Sequence, residues 1–182
     1  GSSFIAEGYS KVIEPDQLIT ANEIIYHDET QMMELIGNAS VENSTRGIFG
    51  DEMVIQYRDS LIEKINIISN ANAYNDLNIK IEKDGPSRRF RDEMSSRQMI
   101  AHFKDNDIIK LELMNMATTL FHVINDSLLV GNNEASGDSI LIDFLDGDIT
   151  RIQVISGALG EFNPEGSNSN IDTTIFYAAD YL

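Results

Sequence analysis

Residues 50–69 and 137–156 carry one pattern twice, at an offset of 87 positions. Each copy opens on Gly-Asp (Gly50-Asp51, Gly137-Asp138). Without a gap, Ile55 then aligns with Ile142, Tyr57 with Phe144, Asp59 with Asp146 and Ile62 with Ile149. Lys64 aligns with Arg151, Ile65 with Ile152, Ile67 with Val154 and Ser69 with Ser156. A looser match lies upstream, where Tyr26-His27-Asp28 parallels Phe103-Lys104-Asp105 and Glu34-Leu35 parallels Glu112-Leu113, followed by Ala39 and Ala117. The upstream offset is shorter, so about nine residues are inserted between Ala117 and Gly137. A repeat of this length holds several elements, and one copy alone cannot bury its apolar face. A weaker echo, Gly8 to Ala21 against Gly37 to Gly50, suggests a sub-repeat of about 29 residues.

Inside the copies the apolar positions alternate. Met53, Ile55 and Tyr57 fall on one side of a strand, as do Ile140, Ile142 and Phe144, and Ile65 with Ile67. Side chains alternate across a strand, so each set lines one face. Asn78-Ile79-Lys80-Ile81-Glu82 alternates in the same way. Composition agrees: 25 Ile against 13 Leu and 11 Ala is a strand-rich balance, since β-branched side chains lose rotamer freedom on a helix. Asp146-Gly147 reads as a tight hairpin turn, with Arg58-Asp59-Ser60 in the equivalent place. Residues 84–87 and 166–170 read as loops, and 86–99 admit a short helix instead of a strand. The expected architecture is all-β, one elongated domain of two tandem repeats, about 8–85 and 86–160. Phe4 to Val12 and Ile171 to Leu182 are expected to be partial repeats. Stacked strand units around a continuous apolar interior describe a β-solenoid, or an open antiparallel jellyroll stacked lengthwise.

Charge narrows the function. The formal net charge is −17, from 13 basic and 30 acidic residues, and phosphate backbones are bound by clustered Lys and Arg. Nucleic acid is therefore not an expected partner. There is no cysteine, so no disulfide or thiolate chemistry. Gly1-Ser2-Ser3 looks like a cloning remnant, and no basic-then-apolar leader opens the chain; the reading is of an excised piece whose signal peptide is absent.

The residues Ala21-Asn22-Glu23-Ile24-Ile25-Tyr26, then Leu35-Ile36-Gly37-Asn38-Ala39-Ser40-Val41, then Gly50-Asp51-Glu52-Met53 resemble the OstA-like, LptA-type family of periplasmic lipopolysaccharide-transport domains. The likeness covers about 8–160. The second unit departs from it: Leu113-Met114-Asn115-Met116-Ala117 lacks the Gly-Asn pair, and Thr118 to Glu134 is longer than the usual connection. The resemblance implies a folded-over, V-shaped antiparallel β-jellyroll in the periplasm, with a greasy groove that carries lipopolysaccharide. It also implies end-to-end joining with copies of itself or other jellyroll domains through strand edges.

On that reading the groove lining is expected from Ile24, Tyr26, Met33, Leu35, Met53, Ile55, Tyr57, Ile65, Ile67, Met99, Phe103, Leu111, Leu113, Ile140, Ile142, Phe144, Ile152 and Val154. The bland alternative is that they fill a core. Arg88, Arg89 and Arg91 belong to a basic cluster that either meets lipid phosphates or forms a solvated loop shoulder balanced by Asp84, Asp92 and Glu93. His27, His102 and His122 are too scattered for a metal site, and Asp143, Asp146 and Asp148 fit a turn better than a calcium loop. No nucleophile motif, P-loop or dinucleotide fingerprint occurs, so neither a catalytic residue nor a cofactor is expected. Two alternatives stand beside transport. One is a structural β-solenoid scaffold or interaction domain without lipid cargo. The other is a carbohydrate-active β-domain working through a carboxylate pair.

Overall fold

The computed structural model describes residues 3–14 and 17–165. The described residues form strands and turns only. The strands are β1 (Ser3–Glu14), β2 (Gln17–His27), β3 (Met32–Glu42), β4 (Arg46–Arg58), β5 (Leu61–Ile67) and β6 (Ala71–Lys80). They continue as β7 (Ser87–Ser96), β8 (Gln98–Lys104), β9 (Asp107–Asn125), β10 (Leu128–Leu145), β11 (Asp148–Ile155) and β12 (Leu159–Pro164). All twelve belong to one sheet. The pairing is antiparallel apart from a single parallel bridge, Leu128 to Lys80. The short helix admitted over 86–99 is replaced by β7 and the start of β8. The reason is local: Arg88 to Ser96 alternate against β6 in an unbroken register from Lys80↔Ser87 to Ala71↔Ser96.

Hairpin turns are built from Asp. Asp59-Ser60, Asp105-Asn106, Asp126-Ser127 and Asp146-Gly147 each place two consecutive residues at positive φ, the geometry that matches strand twist in a two-residue turn. The hairpins β4–β5 and β10–β11 share their register. Ile55 faces Ile65 and Tyr57 faces Ile62, with a bulge between Gln56 and Tyr57. Ile142 faces Ile152 and Phe144 faces Ile149, with a bulge between Asp143 and Phe144.

A crease crosses the whole sheet. Register shifts fall between Glu7 and Ser10, between Ile36 and Ala39, and between Gly137 and Ser139. At the same level the backbone turns to positive φ at Gly8, at Gly37-Asn38, at Asn70, at Asn115-Met116 and at Ser156-Gly157. The short connections between β5 and β6, β7 and β8, and β11 and β12 lie there too. Extra residues in alternate strands bend the ladder, and backbone bonds hold the bend: Asp51 N–H to Ser69 O at 2.9 Å, Arg97 N–H to Asn115 O at 3.0 Å, Asp138 N–H to Ser156 O at 2.8 Å. The second unit lacks the Gly-Asn sequence yet makes the same bend with Asn115-Met116, because Asn tolerates the left-handed region. Its longer connection is not a loop. Thr118 to Asn125 and Leu128 to Gly137 extend β9 and β10 as a longer hairpin.

The crease divides the sheet into two leaves. One carries, in order, parts of β1, β2, β3 and β4, then β5, β8, and parts of β9, β10 and then β11. The other carries the remaining parts of β1, β2, β3 and β4, then β6, β7, and parts of β9, β10 and then β12. Their inner faces meet in one core. Beside the crease the second leaf contributes only small residues, Ser10, Ala21, Ala39, Gly50, Ala71, Ser96, Ala117 and Gly137. A wedge is narrowest at its apex, and close packing there leaves no room for bulk. A Cβ on Gly137 would stand 2.6 Å from Val154 Cγ1 and 3.1 Å from Ser156 O. Away from the apex, Val41, Met94 and Phe121 fill the widening gap. Phe4 to Val12 lies in the edge strand β1, whereas Ile171 to Leu182 lies outside the described residues.

Candidate functional site: a cavity at the mouth of the wedge

Between the free ends of the leaves lies a cavity of about 630 Å³, within the roughly 300–1,000 Å³ usual for small-molecule sites. Its floor comes from both leaves: Ile62, Ile65 and Leu111 on one side, Ala73, Met94 and Phe121 on the other. Around the mouth stand Phe103, Phe144, Ile149 and Ile152 from the first leaf and Gln17, Glu42, Arg46, Asn75 and Leu77 from the second.

Of the residues expected to line a groove, Ile65, Phe103, Leu111, Phe144 and Ile152 border this cavity. Ile24, Met33, Leu35, Met53, Ile55, Ile67, Met99, Leu113, Ile140 and Ile142 are sealed in the core. Tyr26, Tyr57 and Val154 pack against that core, partly buried. Tyr26 and Tyr57 meet edge to face, with ring centroids 6.4 Å apart.

The arginines divide. Arg91 clamps Asp76 with Nε at 2.8 Å and Nη2 at 2.9 Å, and Arg89 bonds the same carboxylate. Those hydrogen bonds hold the Asp76 carboxyl well below the usual range. Arg91 also covers the Tyr74 ring at 3.9 Å, and that ring stacks on Phe49. Tyr74 borders the cavity and donates to Glu42 at the mouth, whereas Asp76, Arg89 and Arg91 are not among the residues that line it. Arg88 is exposed towards the end of the β6–β7 hairpin. Asp76 is the direct partner of Arg89 and Arg91, Glu93 adds its charge near Arg91, and Asp92 is buried.

Asp92 marks a parting of strands. The pairing of β7 with β9 runs from Ser95↔Thr118 to Glu93↔Leu120 and stops. One residue further on, the Asp92 carboxylate replaces the missing backbone partner. It accepts His122 N–H at 2.8 Å and sits 3.0 Å from His122 Nδ1. Burial pushes the Asp92 carboxyl up, against the hydrogen bonds from His122 and Asn75. Asn75 in turn accepts Arg46 Nε–H at 3.1 Å. A chain of polar contacts, Arg46–Asn75–Asp92–His122, therefore follows the rim, and all four residues border the cavity. Arg46 also reaches across the mouth, with Nη2 3.2 Å from the Cβ position of Gly147 on the opposite leaf.

Sequence reasoning named His122 and Asp92 without this role, and missed Gln17, Arg46, Asn75 and Phe121. Strand alternation offers a signal for Phe121 alone. The other histidines make cross-strand pairs, His27 with Glu34 at 3.0 Å and His102 with Glu112 at 2.9 Å. Among the described residues no three His, Asp or Glu side chains gather as a metal site would require. Asp146 lies in the β10–β11 turn.

No protein-family model matches the chain, and no curated protein does. Among solved structures it is similar to the crystal structure of LptH from Pseudomonas aeruginosa, the LptA-homologous periplasmic component of the conserved lipopolysaccharide transport device. The two share 12% sequence identity and a TM-score of 0.48, over 86% of this chain and 83% of that chain. That likeness lies in the chain path alone.

Proposed function

We propose that the chain is a non-enzymatic lipid-carrying domain of the periplasm, which shelters acyl chains of lipopolysaccharide or a related lipid between its two leaves. The observation that carries this reading is the cavity at the wedge mouth, apolar at its floor and open at its rim. Each methylene moved there from water contributes about 0.8 kcal/mol, and aliphatic walls without directional contacts let a chain slide. The sealed apex works as the structural core, and the mouth as the lipid path.

The chain is also read as two tandem repeats, about 8–85 and 86–160; the shared register and bulge of the β4–β5 and β10–β11 hairpins support this. Its partners are further jellyroll domains or copies of itself. The edge strand β1 supports that assembly, for it exposes Phe4, Ile5, Tyr9 and Ile13, and the far end exposes Ile155 and Leu159. Exposed strand edges pair with other chains. A packed interior without an opening would favour the scaffold reading. The carbohydrate-active reading needs two facing free carboxylates; of those bordering the cavity, Asp92 is tied to His122 and Glu42 accepts from Tyr74, which leaves Asp148.

The test is photo-crosslinking to lipopolysaccharide from a reactive residue at Phe144, which borders the cavity, with the sealed position Ile142 as control. An adduct at 144 and none at 142 is expected. Equal labelling at both, or at neither, refutes the assignment of the mouth.

A further inference from the structure

At the rim of the cavity the Arg46 guanidinium is only partly used. Its backbone is fixed by Asn43: Arg46 N–H donates to Asn43 Oδ1 at 2.7 Å, and Arg46 O accepts Asn43 N–H at 2.8 Å. Its Nε–H donates to Asn75 Oδ1 at 3.1 Å. The Asn75 amide is held in turn by its bond to buried Asp92. These bonds aim the fork, and Nη2 points over the mouth towards Gly147.

Among the described residues, neither Nη of Arg46 meets a carboxylate. Arg58, Arg89 and Arg91, none of which lines the cavity, are each paired with an acid, Glu63 or Asp76. The chain has 30 acidic residues, and Glu42 and Asp148 border the same cavity without pairing to Arg46. Glu42 accepts Tyr74 O–H at 3.3 Å, and Asp92 is tied to His122. An arginine stays charged, and its planar fork matches the paired oxygens of a phosphate or carboxylate. Half-buried beside an apolar floor, it gains more from such a partner than it would in open water. A small free anion is opposed by the net charge of −17. An anion carried on an aliphatic tail has the burial of that tail to offset the repulsion.

We infer that Arg46 is the head-group anchor of the cavity, holding the anionic head of an amphiphile whose apolar part lies on the floor beside Leu111 and Phe121. This rests on the reading of the mouth as a lipid path, and it goes further by naming the charge of the head and the residue that meets it. One anchor at the head, with none along the floor, holds the cargo at a fixed station without gripping its tails.

The experiment compares three probes with the same twelve-carbon tail (dodecyl phosphate, dodecanoate and the uncharged dodecyl maltoside) by displacement of an apolar fluorescent dye from the purified chain. Arg46→Gln should weaken both anions about tenfold, as the loss of a charge-assisted hydrogen bond implies, and leave dodecyl maltoside unchanged. Arg46→Lys, which restores the charge without the fork, should recover part of the loss. Arg88→Gln removes an exposed charge outside the cavity lining and should alter none of the three. Thermal melting checks that each variant folds. Millimolar inorganic phosphate should leave the dodecyl phosphate curve in place. Undiminished binding of the anions to Arg46→Gln, or an equal loss of all three probes, overturns the inference. An Arg88→Gln variant that matches Arg46→Gln overturns it too, for net charge alone would then act. Competition by inorganic phosphate also overturns it, in favour of a site for free anions. Purified lipid A in the same assay separates the two levels. Displacement by lipid A at equal concentrations from wild type and Arg46→Gln overturns the anchor alone. Displacement by neither lipid A nor any probe overturns the lipid path as well.

Discussion

Ile65 and Ile152 occupy matching places in their hairpins, each opposite an isoleucine of the neighbouring strand and each bordering the cavity. They differ in what lies on the other side. β5 is covered by β8, through Ile65↔Ala101, whereas β11 pairs with β10 and with no other strand among the described residues. Ile65 is accordingly 0% exposed and Ile152 36% exposed. Truncation to alanine removes three carbons. For Ile65 that is about 2.4 kcal/mol of transfer energy at about 0.8 kcal/mol per carbon, and an unfilled hole raises the total to about 3–4 kcal/mol. For Ile152 about a third of the transfer term is already lost to water and solvent fills the gap, leaving about 1–1.5 kcal/mol. A chain of this size loses about 2–4 °C of Tm per kcal/mol. Ile65→Ala should therefore melt about 3–12 °C below Ile152→Ala in dilute solution, by circular dichroism. Equal shifts would mean that β11 is not an edge, and the account of this end of the sheet would be wrong.

Two other substitutions test the bend and the buried carboxylate. Met116 is 69% exposed with φ of +64°, a conformation costing an L residue about 1–2 kcal/mol. Met116→Gly should raise Tm by about 1–4 °C after the entropic cost of glycine, and a fall would show that its side chain supports the crease. Asp92 has its pKa raised by burial, so its contribution to stability is present at low pH and is lost as pH rises through the raised value. Asp92→Asn cannot titrate. Urea midpoints for both proteins between about pH 4 and 6 should show the variant gaining on the wild type as pH rises. The opposite trend would mean that the charge pairing with His122 outweighs burial. Asp76 and Glu112 have lowered pKa values, Asp76 through Arg91 and Arg89, and Glu112 through bonds from Lys110 and His102 that outweigh its burial. Their stabilisation is lost as pH falls, and it cancels between the two proteins.

The hairpins were legible because two local rules set them. Alternation gives the buried side of β4, β5 and β10, and Asp-led turns give their ends. The bend in the second unit was not, since Asn115-Met116 reaches the geometry of Gly37-Asn38 without the same letters. A helix over 86–99 was admitted because the register of β7 is imposed by β6, and a single segment does not display its partner. For the candidate site, alternation tells which face a side chain takes, but not how far it stands from the apex. Ile142 and Phe144 share a face; one is sealed and the other borders the cavity. The polar rim comes from strands far apart in sequence, so Gln17, Arg46, Asn75 and Asp92 leave no spacing to read.

Because the bend recurs at one level in successive strands, the apex of the wedge runs as one line from β1 to the β11–β12 turn. Adding or removing a complete antiparallel pair that keeps this level extends or shortens that line. Such a chain can be made longer by duplicating a hairpin that carries small residues beside the crease, so its length can change by small genetic steps.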